Sequence, residues 1–140
     1  MSAIRADSPR PYFNLSINNE QDVGHAVREA RSEAYLAGFD KPNIFKLCTI
    51  VAELCRNMLY HAGGGEFVIR HIHSGNRSGI EIEALDHGPG IADISMAMQD
   101  HFSTRGTLGI GLPAVKRLSD EMHIESEPGK GTVVKALKWL

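Results

Sequence analysis

Three groups of residues in this sequence have the types and spacing that chemistry needs. The first is Glu53 and Asn57, four apart in a stretch of helical periodicity, so both project from one side of a helix. Asparagine is disfavoured in a helix interior because its amide competes for the backbone, so one placed there points to a task. An amide oxygen is a hard ligand suited to Mg²⁺, and a neighbouring carboxylate can accept a hydroxyl proton. The second group is Asp86-His87-Gly88-Pro89-Gly90, directly after a strand pattern. A carboxylate at a strand end can accept a hydrogen bond from an exocyclic amino group such as that of adenine. Glycines beside it let backbone approach a flat ring closely. The third is Gly106-Thr107-Leu108-Gly109-Ile110-Gly111-Leu112, which runs into Pro113 and a helical pattern. Free backbone N–H groups and the helix dipole favour an anion such as phosphate at such an entry.

Each group alone also has a plain structural reading: a solvated polar stripe, an ordinary turn, a loop without function. Other nucleotide and metal signatures are missing. Gly129-Lys130-Gly131-Thr132 lacks the spacing of a P-loop and falls in a hairpin pattern. Gly109-Ile110-Gly111 has neither the third glycine nor the preceding strand of a dinucleotide fingerprint. The catalytic-loop and metal motifs of ordinary protein kinases are absent. His71 and His73 are the only close histidine pair, with no second Cys or His pair to complete a zinc site.

The elements that must position these groups alternate between sheet and helix. Period-two patterning predicts strands at 12–17, 66–73, 79–85, 123–126 and 132–139. Helical spacing predicts helices at 22–39, 42–61 and 113–122, with a short one at 91–99 and an irregular loop at 100–108. The order predicts an α/β fold, specifically an α+β two-layer sandwich with helices on one face of a mixed sheet. With 140 residues the chain fits one domain, at 11–140, after a polar, proline-broken flexible leader at 1–10. The net charge of -2 gives no case for nucleic-acid binding. No apolar run approaches the roughly 20 residues that cross a bilayer, and no signal peptide is visible, so a cytoplasmic location is expected. Cys48 and Cys55 are seven apart on one helix, about 10 Å along the axis, too far for a disulfide.

Taken in order, the helical Glu/Asn pair, the strand-end Asp-x-Gly-x-Gly and the Gly-x-Gly helix entry resemble the boxes of the GHKL ATPase superfamily, with its Bergerat ATP-binding fold. Within it, ELCRNMLYHAGGG, DHGPGI, DHFST and LGIGLPAVKRLSDE look like the RsbT-type serine/threonine switch kinases. The resemblance spans nearly the whole chain and is strongest from Ile50 to Trp139. It implies ATP and Mg²⁺ as cofactors, with Asn57 holding the metal and Glu53 serving as base for a substrate hydroxyl. It implies that Asp86 contacts the adenine amino group, that Gly88 and Gly90 shape that pocket, and that Thr132 supports it. Gly109, Gly111 and Leu112 would offer N–H groups to the phosphates, and Ser103 and Thr104 would belong to an ATP lid at 103–108. His87 and His101 depart from the family pattern.

The implied substrate is another chain, a STAS-domain antagonist or stressosome scaffold, with a downstream phosphatase or other output beyond it. Two other readings stay open: an anti-sigma factor kinase of the same fold that binds a sigma factor, and a non-enzymatic ATP-dependent binding module.

Overall fold

Backbone caps set the two long helices, and a stripe of apolar side chains fixes which way they face. The computed structural model of the chain describes residues 11–91, 98 and 111–140. The expected leader, the loop at 100–108 and all of the expected 91–99 helix except Ile91 and Met98 lie outside them. In chain order the elements are β1 (Pro11–Ile17), α1 (Glu20–Ala37), α2 (Lys41–Ala62), β2 (Gly65–Ser74), β3 (Arg77–Asp86), α3 (Gly111–Leu118), β4 (Glu121–Glu127) and β5 (Gly131–Trp139).

Helix α1 starts where the Asn19 side chain accepts from Asp22 N–H at 2.9 Å, while Asp22 accepts from Asn18 N–H at 2.8 Å. Helix α2 starts at Asp40, which accepts from Asn43 N–H at 3.0 Å, with a proline in the first turn. Both end on left-handed glycines, Gly38 and Gly63. Their inner stripes, Val23, Ala26, Ala30 and Ala34 on α1 and Leu47, Ile50, Val51, Leu54 and Met58 on α2, are buried. They pack on Ile17, Phe67, Ile69, Ile80, Ile82, Val134 and Ala136 from the sheet. The opposite sheet face is charged: Arg70 reaches both Glu81 and Glu83 across the strands. One layer of helices on one sheet face is therefore dictated by strand alternation, and the expected two-layer α/β sandwich is what forms.

The sheet departs from expectation in one respect. Its order is β1-β2-β3-β5-β4, and all four neighbouring pairs are antiparallel rather than mixed. Two helices between β1 and β2 return the chain to the end it left, which makes those strands antiparallel. Strands β3 and β4 do point the same way, but β5 inserts between them and hydrogen-bonds to both.

The third helix is also shorter than the expected 113–122, ending at Leu118. Ser119 Oγ donates to the Val115 carbonyl at 2.6 Å, and Asp120 is fastened to β5 by its N–H to the Leu137 carbonyl and by accepting from Trp139 N–H at 2.7 Å. Met122 thus belongs to β4, where residues from 121 alternate in and out. Cys48 and Cys55 are both free, and burial pushes the Cys55 thiol up to about 12, so it is an inert core group at neutral pH.

Candidate nucleotide site

Helix α2 carries one stripe, Leu54, Asn57, Met58 and His61, at the spacing that shares a helix face. That stripe faces Ala84 and Asp86 at the end of β3, Pro89, Gly90 and Ile91 just after it, Leu112 on α3, and Thr132 and Val134 on β5. Together they line a narrow cleft of about 50 Å³. Its walls are mainly apolar, as a flat heteroaromatic ring requires, and an entering ring must part them. Polar atoms sit at its ends.

On the sheet side, Asp86 and Thr132 are register partners on adjacent strands. Asp86 Oδ1 accepts from Gly88 N–H at 2.9 Å, which fixes the carboxylate; among the described residues its other oxygen has no partner. The carboxylate is thus held on one side and open on the other, as an acceptor for an amino group would be. Thr132 Oγ1 lies 2.8 Å from Ser126 Oγ. Ser126 also accepts from Ile91 N–H at 2.7 Å and donates to the Gly131 carbonyl at 3.0 Å. With its one proton on Gly131, Ser126 accepts from Thr132, which leaves the threonine lone pairs for a ligand or water.

The glycines after β3 serve close backbone approach to protein, and Gly90 lines the cleft as well. Gly90, at φ 79, has the Glu127 carbonyl where a Cβ would stand, and Gly131, at φ 100, has the Asp86 carbonyl there. These contacts lock the Asp-x-Gly-x-Gly turn onto the β4–β5 hairpin, with Gly129 N–H donating to the Pro89 carbonyl at 2.7 Å. Gly88 does not line the cleft; a Cβ on it would collide with Ala62 at the end of α2.

At the helical end, Gly111 opens α3 directly against Glu53 and Asn57. A Cβ on Gly111 would strike the Glu53 carboxylate and lie 3.3 Å from Asn57 Nδ2. The N-terminus of α3 therefore shares one small volume with a carboxylate and an amide. Asn57 Nδ2 is buried and, among the described residues, has no hydrogen-bond partner. An orphaned buried amide costs about 1–3 kcal/mol, so its retention calls for a ligand that satisfies it. Phosphate oxygens for Nδ2, with Mg²⁺ on Oδ1, suit that amide, and the glycine N-terminus beside it suits the phosphate charge. The residues present fit a Mg²⁺–nucleotide. No group of three or more potential metal ligands exists among the described residues, so phosphates and water would complete the ion's shell.

The structure thus gathers Asn57, Asp86, Gly90, Leu112 and Thr132 around one cleft and sets Glu53 and Gly111 at its helical end. Ser103, Thr104 and Gly109, and the lid assigned to 103–108, lie outside the described residues. Three contributors, Met58, His61 and Ser126, are not among the site residues expected from sequence. Met58 and His61 could have been found by extending the Asn57 stripe by one and four residues. Ser126 has no sequence signal beyond its place opposite Thr132. Ser126→Ala is expected to cost about 1 kcal/mol, by leaving the Ile91 N–H without its acceptor, and to weaken ATP binding by loosening Thr132. Urea unfolding beside an ATP titration reads both; no change in either would make the serine incidental.

The sequence profile of the histidine kinase-like ATPase domain matches residues 16–138. The serine/threonine-protein kinase RsbT of Bacillus subtilis is 42% identical over 126 residues, 90% of this chain and 95% of that protein. An anti-sigma F factor of Thermoanaerobacter sp. is 39% identical over 98 residues, 66% of this chain and 67% of that protein. Among solved structures, the SiaB–SiaC complex of Pseudomonas aeruginosa contains a chain of like fold, with TM-score 0.60, 11% identity and coverage of 100% of this chain and 98% of that one.

Proposed function

Because the chain belongs to the histidine kinase-like ATPase family, and within it to the RsbT-type serine/threonine protein kinases, we propose that it phosphorylates a STAS-domain partner, an antagonist or stressosome scaffold, in a bacterial stress-response switch. Protein kinase activity, use of ATP and action by partner switching come with the family. The STAS substrate, the Mg²⁺ ion and the individual residue roles are the proposal. The observation that carries it is the convergence of Glu53, the unpaired Asn57 amide and the N-terminus of α3 at one end of a cleft whose other end presents Asp86.

Asp86 receives the adenine amino group, and Thr132 supports that edge through its free lone pairs. Asn57 would hold Mg²⁺, which when bound neutralises charge on the phosphates. Backbone N–H groups opening α3, from Gly111 and Leu112, face the same charge. Glu53 aligns the incoming serine or threonine hydroxyl and takes its proton as the oxygen–phosphorus bond forms and ADP departs. Most of the rate comes from this positioning and electrostatics, since little other covalent chemistry is asked of the protein. Among the described residues no helix is long and apolar enough to cross a membrane.

The test is incubation with the STAS-domain proteins of the same organism, ATP and Mg²⁺, followed by phosphosite mass spectrometry. One phosphorylated serine or threonine on a STAS protein is expected. Intact ATP binding with no phosphate on any hydroxyl would overturn the substrate assignment. Similarity to anti-sigma F factors supports a second reading, an anti-sigma kinase, though at lower identity. A stable complex with a sigma factor would favour it.

A further inference from the structure

The outer surface of the helical layer carries large apolar side chains that no other described residue covers. Tyr35, Leu36 and Phe45 are 72%, 71% and 71% exposed. Tyr35 on α1 and Phe45 on α2 line a groove of about 570 Å³ between the two helices. Arg28, Arg31 and Lys41 line it as well, and no carboxylate does. Among the described residues neither Arg28 nor Lys41 forms an ion pair, and Arg31 is engaged only by the neutral Cys48 thiol. In a chain of net charge -2, this is a local concentration of positive charge around an apolar trough. Contiguous exposed apolar surface with a charged rim marks an interaction site.

The groove is separate from the site above. Phe45 precedes Glu53 by eight residues and Asn57 by twelve on one helix, about 12 and 18 Å along its axis. An occupant of the groove does not reach the reacting end. A second copy of the chain is a poor occupant, because a two-fold contact through this face would set its cations against themselves. An anionic bilayer gains about 1 kcal/mol per basic residue, so three cations on a concave surface hold it weakly.

We propose that this groove docks an acidic amphipathic helix of a protein partner, with apolar anchors between Tyr35 and Phe45 and carboxylates on Arg28, Arg31 and Lys41. A trough between two packed helices accepts the apolar face of a third, and the rim charges select its sign. The site is an accessory docking surface, distal to phosphoryl transfer and independent of the substrate assigned there.

The probe is a fluorescein-labelled synthetic helical peptide with leucines on one face and glutamates flanking them, read by fluorescence anisotropy. Its control has lysine at every glutamate. The acidic peptide is expected to bind at least about tenfold more tightly, the order of effect of a few rim charges. Arg28→Glu with Lys41→Glu is expected to erase or reverse that preference, and Phe45→Ser to weaken both peptides, with ATP binding unchanged throughout. All three side chains are exposed, so the fold should persist, and circular-dichroism melting checks it. Equal binding of the two peptides overturns the proposal. So does sedimentation showing a dimer that Phe45→Ser dissociates, or tighter binding to phosphatidylserine vesicles than to the acidic peptide.

Discussion

Glu53→Gln is expected to bind Mg²⁺-ATP almost as the native chain does and to lose phosphoryl transfer by on the order of 10²–10⁴-fold, the usual worth of a general base. The substitution keeps the side chain's size and one carbonyl oxygen, so the packing of Gly111 against it survives. What is lost is the ability to accept the proton of the attacking hydroxyl. A change confined to the transition state lowers kcat and kcat/KM together and leaves nucleotide affinity alone, which separates it from a binding defect. A calorimetric ATP titration beside a transfer assay reads both quantities. Full transfer by Glu53→Gln would remove the base from Glu53 and leave the residue a packing partner of α3.

Asn57→Leu is expected to fail in the opposite manner, and its signature includes a gain. Among the described residues the buried Asn57 Nδ2 atom has no partner, a defect worth about 1–3 kcal/mol. Leucine has similar bulk and no polar atom to desolvate, and its neighbours Leu54, Met58 and Leu112 are apolar. The variant should therefore unfold at higher urea than the native chain, while Mg²⁺-ATP binding and transfer both collapse. Such opposition between stability and activity is what a site held ready for a ligand produces. An Asn57→Leu variant that is destabilised, or one that binds Mg²⁺-ATP normally, would contradict the role given to the amide.

The sequence made much of this legible because caps and stripes are local. Asn19 and Asp40 stand at helix starts, Gly38 and Gly63 at helix ends, and the four-residue spacing of Glu53 and Asn57 places both side chains without tertiary knowledge. Asp86 at a strand end was equally visible, since alternation stops there. What was hidden depends on contacts between distant segments. The direction of strand pairing turned on β5 entering between β3 and β4, which no local pattern encodes. The end of α3 is set by Asp120 fastening to Leu137 and Trp139, and residues 119–122 alone continue a helical pattern. Gly88 reads as room for a ring, whereas its missing Cβ admits Ala62; Gly90 does line the cleft, and its missing Cβ admits the Glu127 carbonyl as well. Ser126 has no sequence signal, because an isolated serine in a strand is ordinary until Ile91, Gly131 and Thr132 converge on it.

The most direct test of the site is a crystal structure with Mg²⁺ and a non-hydrolysable ATP analogue. The adenine amino group is expected on the free oxygen of Asp86, the phosphates between Asn57 and the Gly111 end of α3, and the metal on Asn57 Oδ1 with Glu53 beside the γ-phosphate. A nucleotide bound elsewhere, or one whose phosphates point away from Asn57 with the amide still unpaired, would contradict this placement.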